Sequence, residues 1–194
     1  YPAHMSGDAV WISSKADAFS GATPLSLAAS GNSDAMPDIM TSFVGLIPGS
    51  VGETSMIAIL LGAAILIITG IASLRIMIPV FAGGYLMALL LNFWGTNSFM
   101  EIPAYEQLMI GGFAFGAVFM ATDPVSAAQT PTGKWIYGLL IGVLGILIRV
   151  LNPAYPEGMM LAILFMNIMA PLIDHYVIQH NIKRRLKRKI TPVH

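Results

Sequence analysis

The stretch Asp17-Ala-Phe-Ser-Gly-Ala-Thr-Pro24 sets a threonine hydroxyl among small residues, in a polar segment ahead of a long apolar region. Gly21 can take a positive φ, and Pro24 pushes Thr23 away from helical torsions toward an extended conformation. With Ala22 adding almost no bulk, the hydroxyl is offered on a tight, uncrowded turn, within reach of a large phosphate-bearing group. An ordinary polar loop is the plain alternative. Asp123 and Asp174, at the ends of apolar runs, raise a second chemistry. A carboxylate within a membrane span is costly unless it faces a cavity or a partner, so each is a candidate for an ion path. Asp123, in Thr122-Asp-Pro-Val-Ser126, equally suits the cap of a short helix with Pro124 as its first residue. Asp174 follows Asn167 by seven residues and shares its helical face. Pro171 between them cannot donate to the Asn167 carbonyl, which leaves an oxygen free at a kink. A carboxylate, an amide and a spare carbonyl are the hard oxygen ligands of a small cation. The alternative is that Asp174 sits at headgroup level, paired with His175 or the basic tail.

Other chemistries are excluded or unsupported. The sequence has no cysteine, which removes disulfides, thiolate nucleophiles and cysteine-ligated iron–sulfur clusters. His4, His175, His180 and His194 show no metal-ligand spacing, so no metal site is expected. Phe115 and Phe119, four apart on one helical face, read first as core packing. In an ion-moving protein the same pair would form a hydrophobic constriction near Asp123.

The elements that must position these residues are membrane spans. Of 194 residues, 56% are hydrophobic and 10% charged, with a mean hydropathy of +0.73; soluble domains carry about 25% charged residues. Apolar runs cover Met56–Ala72, Ile76–Phe93, Leu108–Thr122, Trp135–Leu151 and Gly158–Val177. The expected fold is an all-α membrane protein of about five transmembrane helices, the third short or broken. Residues 1–54, rich in Ser, Gly, Pro and Asp, are expected as an irregular segment outside the membrane, with short helical pieces at most. Residues 55–181 then form the bundle and 182–194 a basic tail.

Arg75, Lys134 and the cluster Lys183-Arg-Arg-Leu-Lys-Arg-Lys189 fall on one side of such a bundle, with only Arg149 against the trend. The positive-inside bias puts that side, and the C-terminus, in the cytoplasm, so five crossings leave Thr23 on the outer face. The basic cluster suits anionic lipid; without an aromatic or RNA-type motif, no nucleic-acid partner is expected. Small residues in Gly112-Phe-Ala-Phe-Gly116 and Gly138-Leu-Leu-Ile-Gly142 predict close helix packing within the bundle. The chain opens on Tyr1 and residues 1–54 do not read as a signal peptide; the expectation is the later part of a longer protein.

The D-x-x-S-G-A-T pattern ending at Thr23 resembles the flavinylation motif of the Na⁺-translocating NADH:quinone reductases and the related Rnf-type complexes. Gly111-Gly-Phe-Ala-Phe-Gly-Ala-Val-Phe-Met-Ala-Thr-Asp-Pro-Val-Ser126 resembles a membrane signature of the reductase's B subunit and of its Rnf homologue, RnfD. The ending Ala170-Pro-Leu-Ile-Asp-His-Tyr-Val and Asn181-Ile-Lys-Arg-Arg-Leu-Lys-Arg188 is closer to the B subunit. The three motifs span almost the whole chain but only the later half of that family's chains. The resemblance implies FMN joined to Thr23 by a phosphoester, installed from FAD by a flavin transferase, on the periplasmic side of a bacterial inner membrane. Asp17, Ser20, Gly21 and Ala22 belong to that motif; Asp17 and Ser20 are candidates to orient the phosphate, and Trp11 and Phe19 to touch the ring. It also implies a subunit of a redox-driven sodium pump passing electrons from NADH towards quinone, with Asp123 and Asp174 along the ion route. The other reductase subunits would be its partners, and riboflavin and quinone would belong to the full-length chain. Three alternatives stay open: RnfD, whose complex exchanges electrons between ferredoxin and NAD; a passive channel of urea-transporter-like architecture with no redox role; and a pure assembly anchor, which would tolerate loss of Asp123 and Asp174.

Overall fold

The computed structural model describes residues 22–31, 36–50, 52–152 and 157–190. Among them the chain is helical, without a strand. In order the helices are α1 (Pro24–Ala29), α2 (Ile39–Val44), α3 (Met56–Ile68), α4 (Leu74–Trp94), α5 (Ser98–Glu101) and α6 (Ala104–Met109). Then follow α7 (Phe113–Phe115), which runs into a π-helical turn at Gly116–Met120, α8 (Pro131–Leu151) and α9 (Gly158–Ile190). Helices α4, α8 and Gly158–Lys187 of α9 are long and apolar enough to cross a membrane. α3 is apolar too but has 13 residues, about 20 Å at 1.5 Å per residue. Leu61, Ile65, Leu164 and Ile168 are exposed, as lipid-facing side chains are. The chain is an all-α membrane protein.

Each of the five apolar runs is helical, with boundaries set by local chemistry. α3 stops at Ile68 rather than Ala72 because Gly70 turns left-handed, at φ 73°. The Ile71 amide then donates to the Leu66 carbonyl at 3.1 Å and the Gly70 amide to Ile67 at 3.0 Å, which is a Schellman closure. The third run is broken, as expected from its length. α6 ends at Ile110, Gly111 takes φ 64°, and the chain restarts at α7. There the Ala121 amide reaches back five residues to the Gly116 carbonyl at 2.7 Å, the π pattern that recurs at functional sites. α9 does not stop at Val177 but carries the basic cluster as a continuous helix to Ile190. Residues 178–190 contain no Gly or Pro, and Lys, Arg and Leu are good helix formers.

α8 lies between α4 and α9. A methyl group on Gly138 would strike the Ile76 carbonyl, one on Gly142 the Val80 carbonyl, and one on Gly83 the Leu139 carbonyl. The backbones of α4 and α8 therefore touch, and the Gly138–Gly142 spacing serves packing within the chain. Gly116 instead receives side chains of α9, those of Met159 and Ile163. α8 runs from Thr130, where the residue 121–130 loop sits, to Arg149, where α6, α7 and the start of α9 converge. The bundle thus has two polar ends joined by an apolar middle.

Candidate functional site

At one end, Thr23 caps α1. Its backbone is extended (φ −71°, ψ 155°), as Pro24 requires, and its Oγ1 accepts from the Ser26 amide at 3.2 Å. The Ser26 hydroxyl donates to the Thr23 carbonyl at 2.8 Å. Pro24, Leu25 and Ala28 are buried, and Leu25 fills the space a side chain on Gly111 would need. This anchors the threonine to the break in the third run. Thr23 lines a small cleft together with Ile47, Pro48, Gly49, Glu53, Gly111 and Glu157. Ala22 is exposed beside it. Asp17, Ser20 and Gly21 lie outside the described residues, as do Trp11 and Phe19.

Beneath the cleft sits a buried cation. Arg149 is 1% exposed. Its Nη1 donates to the Gln107 carbonyl, its guanidinium lies 5.9 Å from the centre of the Phe113 ring, and its Nε has no partner among the described residues. Gln107, also buried, gives its amide to the carbonyls of Phe99 (2.7 Å) and Ile102 (3.2 Å). Glu53 and Glu157 approach the glycine turn together: a Cβ on Gly112 would lie 2.7 Å from a Glu53 carboxyl oxygen and 3.3 Å from one of Glu157. Burial pushes the Glu157 carboxyl above the ordinary carboxylate range, the Glu53 charge adds to that, and Arg149 and the Gly112 amide oppose it.

The opposite end holds the two aspartates. Asp123 closes a turn rather than a helix: Oδ2 accepts from the Ser126 amide (3.0 Å) and hydroxyl (2.6 Å), and Oδ1 from the Val125 amide (3.4 Å). The Ser126 hydroxyl, more than any other contact, holds its carboxyl below the usual range. It lines a small cavity with Thr122, Gln129 and Lys134. Asp174 does not face His175 or the basic cluster in its hydrogen bonds. It accepts from the amides of Gln129 (2.7 Å) and Thr130 (3.0 Å) and from the Thr130 hydroxyl. Thr130 in turn caps α8. Asn167 is engaged elsewhere, its amide oxygen accepting from the Tyr137 hydroxyl. Phe115 and Phe119 do pair, with ring centroids 5.0 Å apart. Phe115 reaches toward Gly52 and Phe119 packs on Gly62 of α3. Among the described residues, no three His, Cys, Asp or Glu side chains are grouped to hold a metal.

In the sequence Arg149 stands out only as an exception to the charge bias, and Glu53 and Glu157 are not among the expected site residues. A signal was present: an arginine closing an otherwise uncharged span, with a glutamate eight residues on across a proline-containing connection. Two antiparallel helices joined that way bring both to one end.

Comparison with known proteins fits this arrangement. Residues 1–183 match the family described as NQR2, RnfD, RnfE. The B subunit of the Na(+)-translocating NADH-quinone reductase of Ectopseudomonas mendocina (strain ymp) is 58% identical across 98% of this chain and 48% of its own length. The protein of that name from Chromohalobacter salexigens is 56% identical over 97% of this chain and 46% of its own. That from Pseudomonas aeruginosa (strain LESB58) is 57% identical over 97% and 48%. The chain spans about half the length of these relatives. With a match over nearly its whole length, and with the helices to carry it, the chain is a multi-pass membrane member of the NQR2, RnfD, RnfE family.

Proposed function

We propose that this chain is the FMN-carrying part of a membrane subunit in a redox-driven sodium pump that passes electrons from NADH towards quinone. Thr23 is the covalent attachment point. The observation that carries the reading is the placement of Thr23: extended, half-buried and on a cleft it shares with Glu53, Gly111 and Glu157. Among the described residues its hydroxyl proton has no acceptor, so esterification breaks no hydrogen bond it donates. The names borne by the relatives favour the reductase over the Rnf homologue. A bare channel has no use for this threonine.

The residues present fit the group. Thr23 would hold the phosphate through its oxygen, and the buried Leu25 on Gly111 fixes where that oxygen stands. FMN supplies one- and two-electron chemistry when bound. The chain supplies position and electrostatics: tethering keeps the flavin at the cleft, and Glu53 and Glu157 set the charge beneath it. Asp17, Ser20, Gly21 and Ala22 complete the attachment motif, with Asp17 and Ser20 as the candidates to orient the phosphate. The partners are the other reductase subunits and membrane lipid. Thr23 faces the periplasm of a bacterial inner membrane and the α9 extension faces the cytoplasm, because Lys134 and the basic cluster share the end opposite Thr23. The ion route runs by Phe115 and Phe119 and past Asp123, Asn167 and Asp174.

The test is a denaturing gel of the full-length subunit, produced with and without the transferase. A flavin-fluorescent band that needs the transferase and vanishes in Thr23→Val supports the reading; fluorescence that survives Thr23→Val removes its centre. Sodium leak through vesicles carrying the complex after Phe119→Ala supports the route, and unchanged coupling counts against it.

A further inference from the structure

We propose that Glu157, crowded by Glu53, holds a proton above Arg149, making the cleft beside Thr23 a proton-binding site as well as a flavin site. Its consequence for electron transfer rests on the flavin reading; the carboxyl pair does not.

Three observations converge. First, the two carboxyl groups meet at one turn: oxygens of both lie near a single point beside Gly112, which puts them within roughly 6 Å of each other. At such a separation the Glu53 charge opposes ionisation of the half-buried Glu157. Second, the cation beside them is not hydrogen-bonded to either. Arg149 is fully buried and donates to the Gln107 carbonyl, while its Nε is unsatisfied among the described residues. A guanidinium in that state is half of an incomplete charge arrangement: one carboxylate balances it, and a second ionised carboxylate leaves an excess. Third, the cleft is not enclosed and is lined by the half-buried Thr23, so protons can exchange. The groups facing Glu157 are Arg149 from the end of α8, Glu53 from the segment before α3 and the Gly112 amide from the break between α6 and α7. Among the described residues, no other titratable side chain lines the cleft. The raised affinity of Glu157 for its proton agrees with this geometry.

The pair converts an electrical event into a chemical one. Negative charge brought into the cleft by a neighbouring subunit of the reductase strengthens proton binding at the pair, the proton being drawn from the aqueous phase at the cleft mouth. By linkage, a pair that holds its proton eases the arrival of that charge, and a pair stripped of it opposes it.

The experiment uses the full-length subunit within its complex. Infrared spectra from about pH 5 to about pH 9 follow the protonated carboxyl stretch. Expected is a band that persists to neutral pH, disappears in Glu157→Gln, and is lost at lower pH in Glu53→Gln, where the like charge is gone. Absence of a Glu157-dependent band above about pH 6 overturns the proposal, as does a Glu53→Gln titration identical to the unaltered protein. On the same samples, intact mass reports the covalent flavin and a redox titration reports its potential. With flavin attached, the potential should vary with pH differently in Glu157→Gln; identical pH profiles overturn the coupling. A sample without attached flavin contradicts the flavin reading alone, and the infrared result still decides the carboxyl pair.

Discussion

The two ends of the bundle handle negative charge in opposite ways. Around Asp174 the carboxylate is matched by donors: two backbone amides and a hydroxyl from residues 129 and 130 converge on it, and Asp123 is wrapped by its own turn. Around Thr23, Glu53 and Glu157 converge on glycines, and the nearest cation donates its hydrogen bond to a carbonyl instead. The first arrangement locks a loop and caps a helix; the second leaves charge to be balanced by something that comes and goes. A carboxylate satisfied by backbone donors costs little to keep, whereas burial and the Glu53 charge favour the protonated form of Glu157.

The sharpest way to break this contrast is at Arg149. Arg149→Leu leaves the Gln107 carbonyl unpaired and two acids without a counter-charge, and should lower stability by about 3 kcal/mol or more. Thermal melting of the complex in detergent reads this, and Arg149→Lys should recover only part because the lysine ammonium cannot span the same contacts. Next, Asp174→Ala orphans three donors at the start of α8 and should cost about 2 kcal/mol; a loss equal to that at Arg149 would erase the difference between the ends. Ser126→Ala, at the exposed Asp123 turn, should cost about 0.5 kcal/mol after screening by water. Its signature is in acid. The Asp123 carboxyl is held below its ordinary value, so its stabilisation is present above that value and lost as pH falls through the folded one. Ser126→Ala should shrink that acid-labile component. The smallest effect comes as pH rises. Glu157 is shifted upward, so the stability linked to it is complete at low pH and lost as pH rises through its folded value. Glu157→Gln should flatten this decline, visible as a melting temperature less sensitive to rising pH.

Much of the scaffold was legible because membrane spans announce themselves in composition. The break at Gly111–Gly112 was visible as a run too short to cross, and the Gly138–Gly142 contact as small-residue spacing. Helix ends were less legible: Gly70 closes α3 early through a left-handed turn, and α9 outruns its apolar stretch because hydropathy marks the lipid boundary rather than the helix boundary. The extended backbone at Thr23 followed from Pro24, while its role as a helix cap did not, since α1 is six residues held by tertiary burial of Leu25 and Ala28. Asp174 and Asn167 share a helix face by spacing, yet Thr130 and Tyr137 reach them from α8 and its cap and give each a separate partner. The Arg149 cluster was hardest to foresee because it assembles residues from four parts of the chain, each with an ordinary local reading.

Whether Thr23 carries a flavin is decided by the intact mass of the denatured full-length subunit, made with and without a flavin transferase, beside Thr23→Val. A transferase-dependent gain of one FMN less one water, absent in Thr23→Val, is expected. An unchanged mass, with the transferase shown to act on another substrate, would leave the cleft without its covalent cofactor and refute the flavin reading.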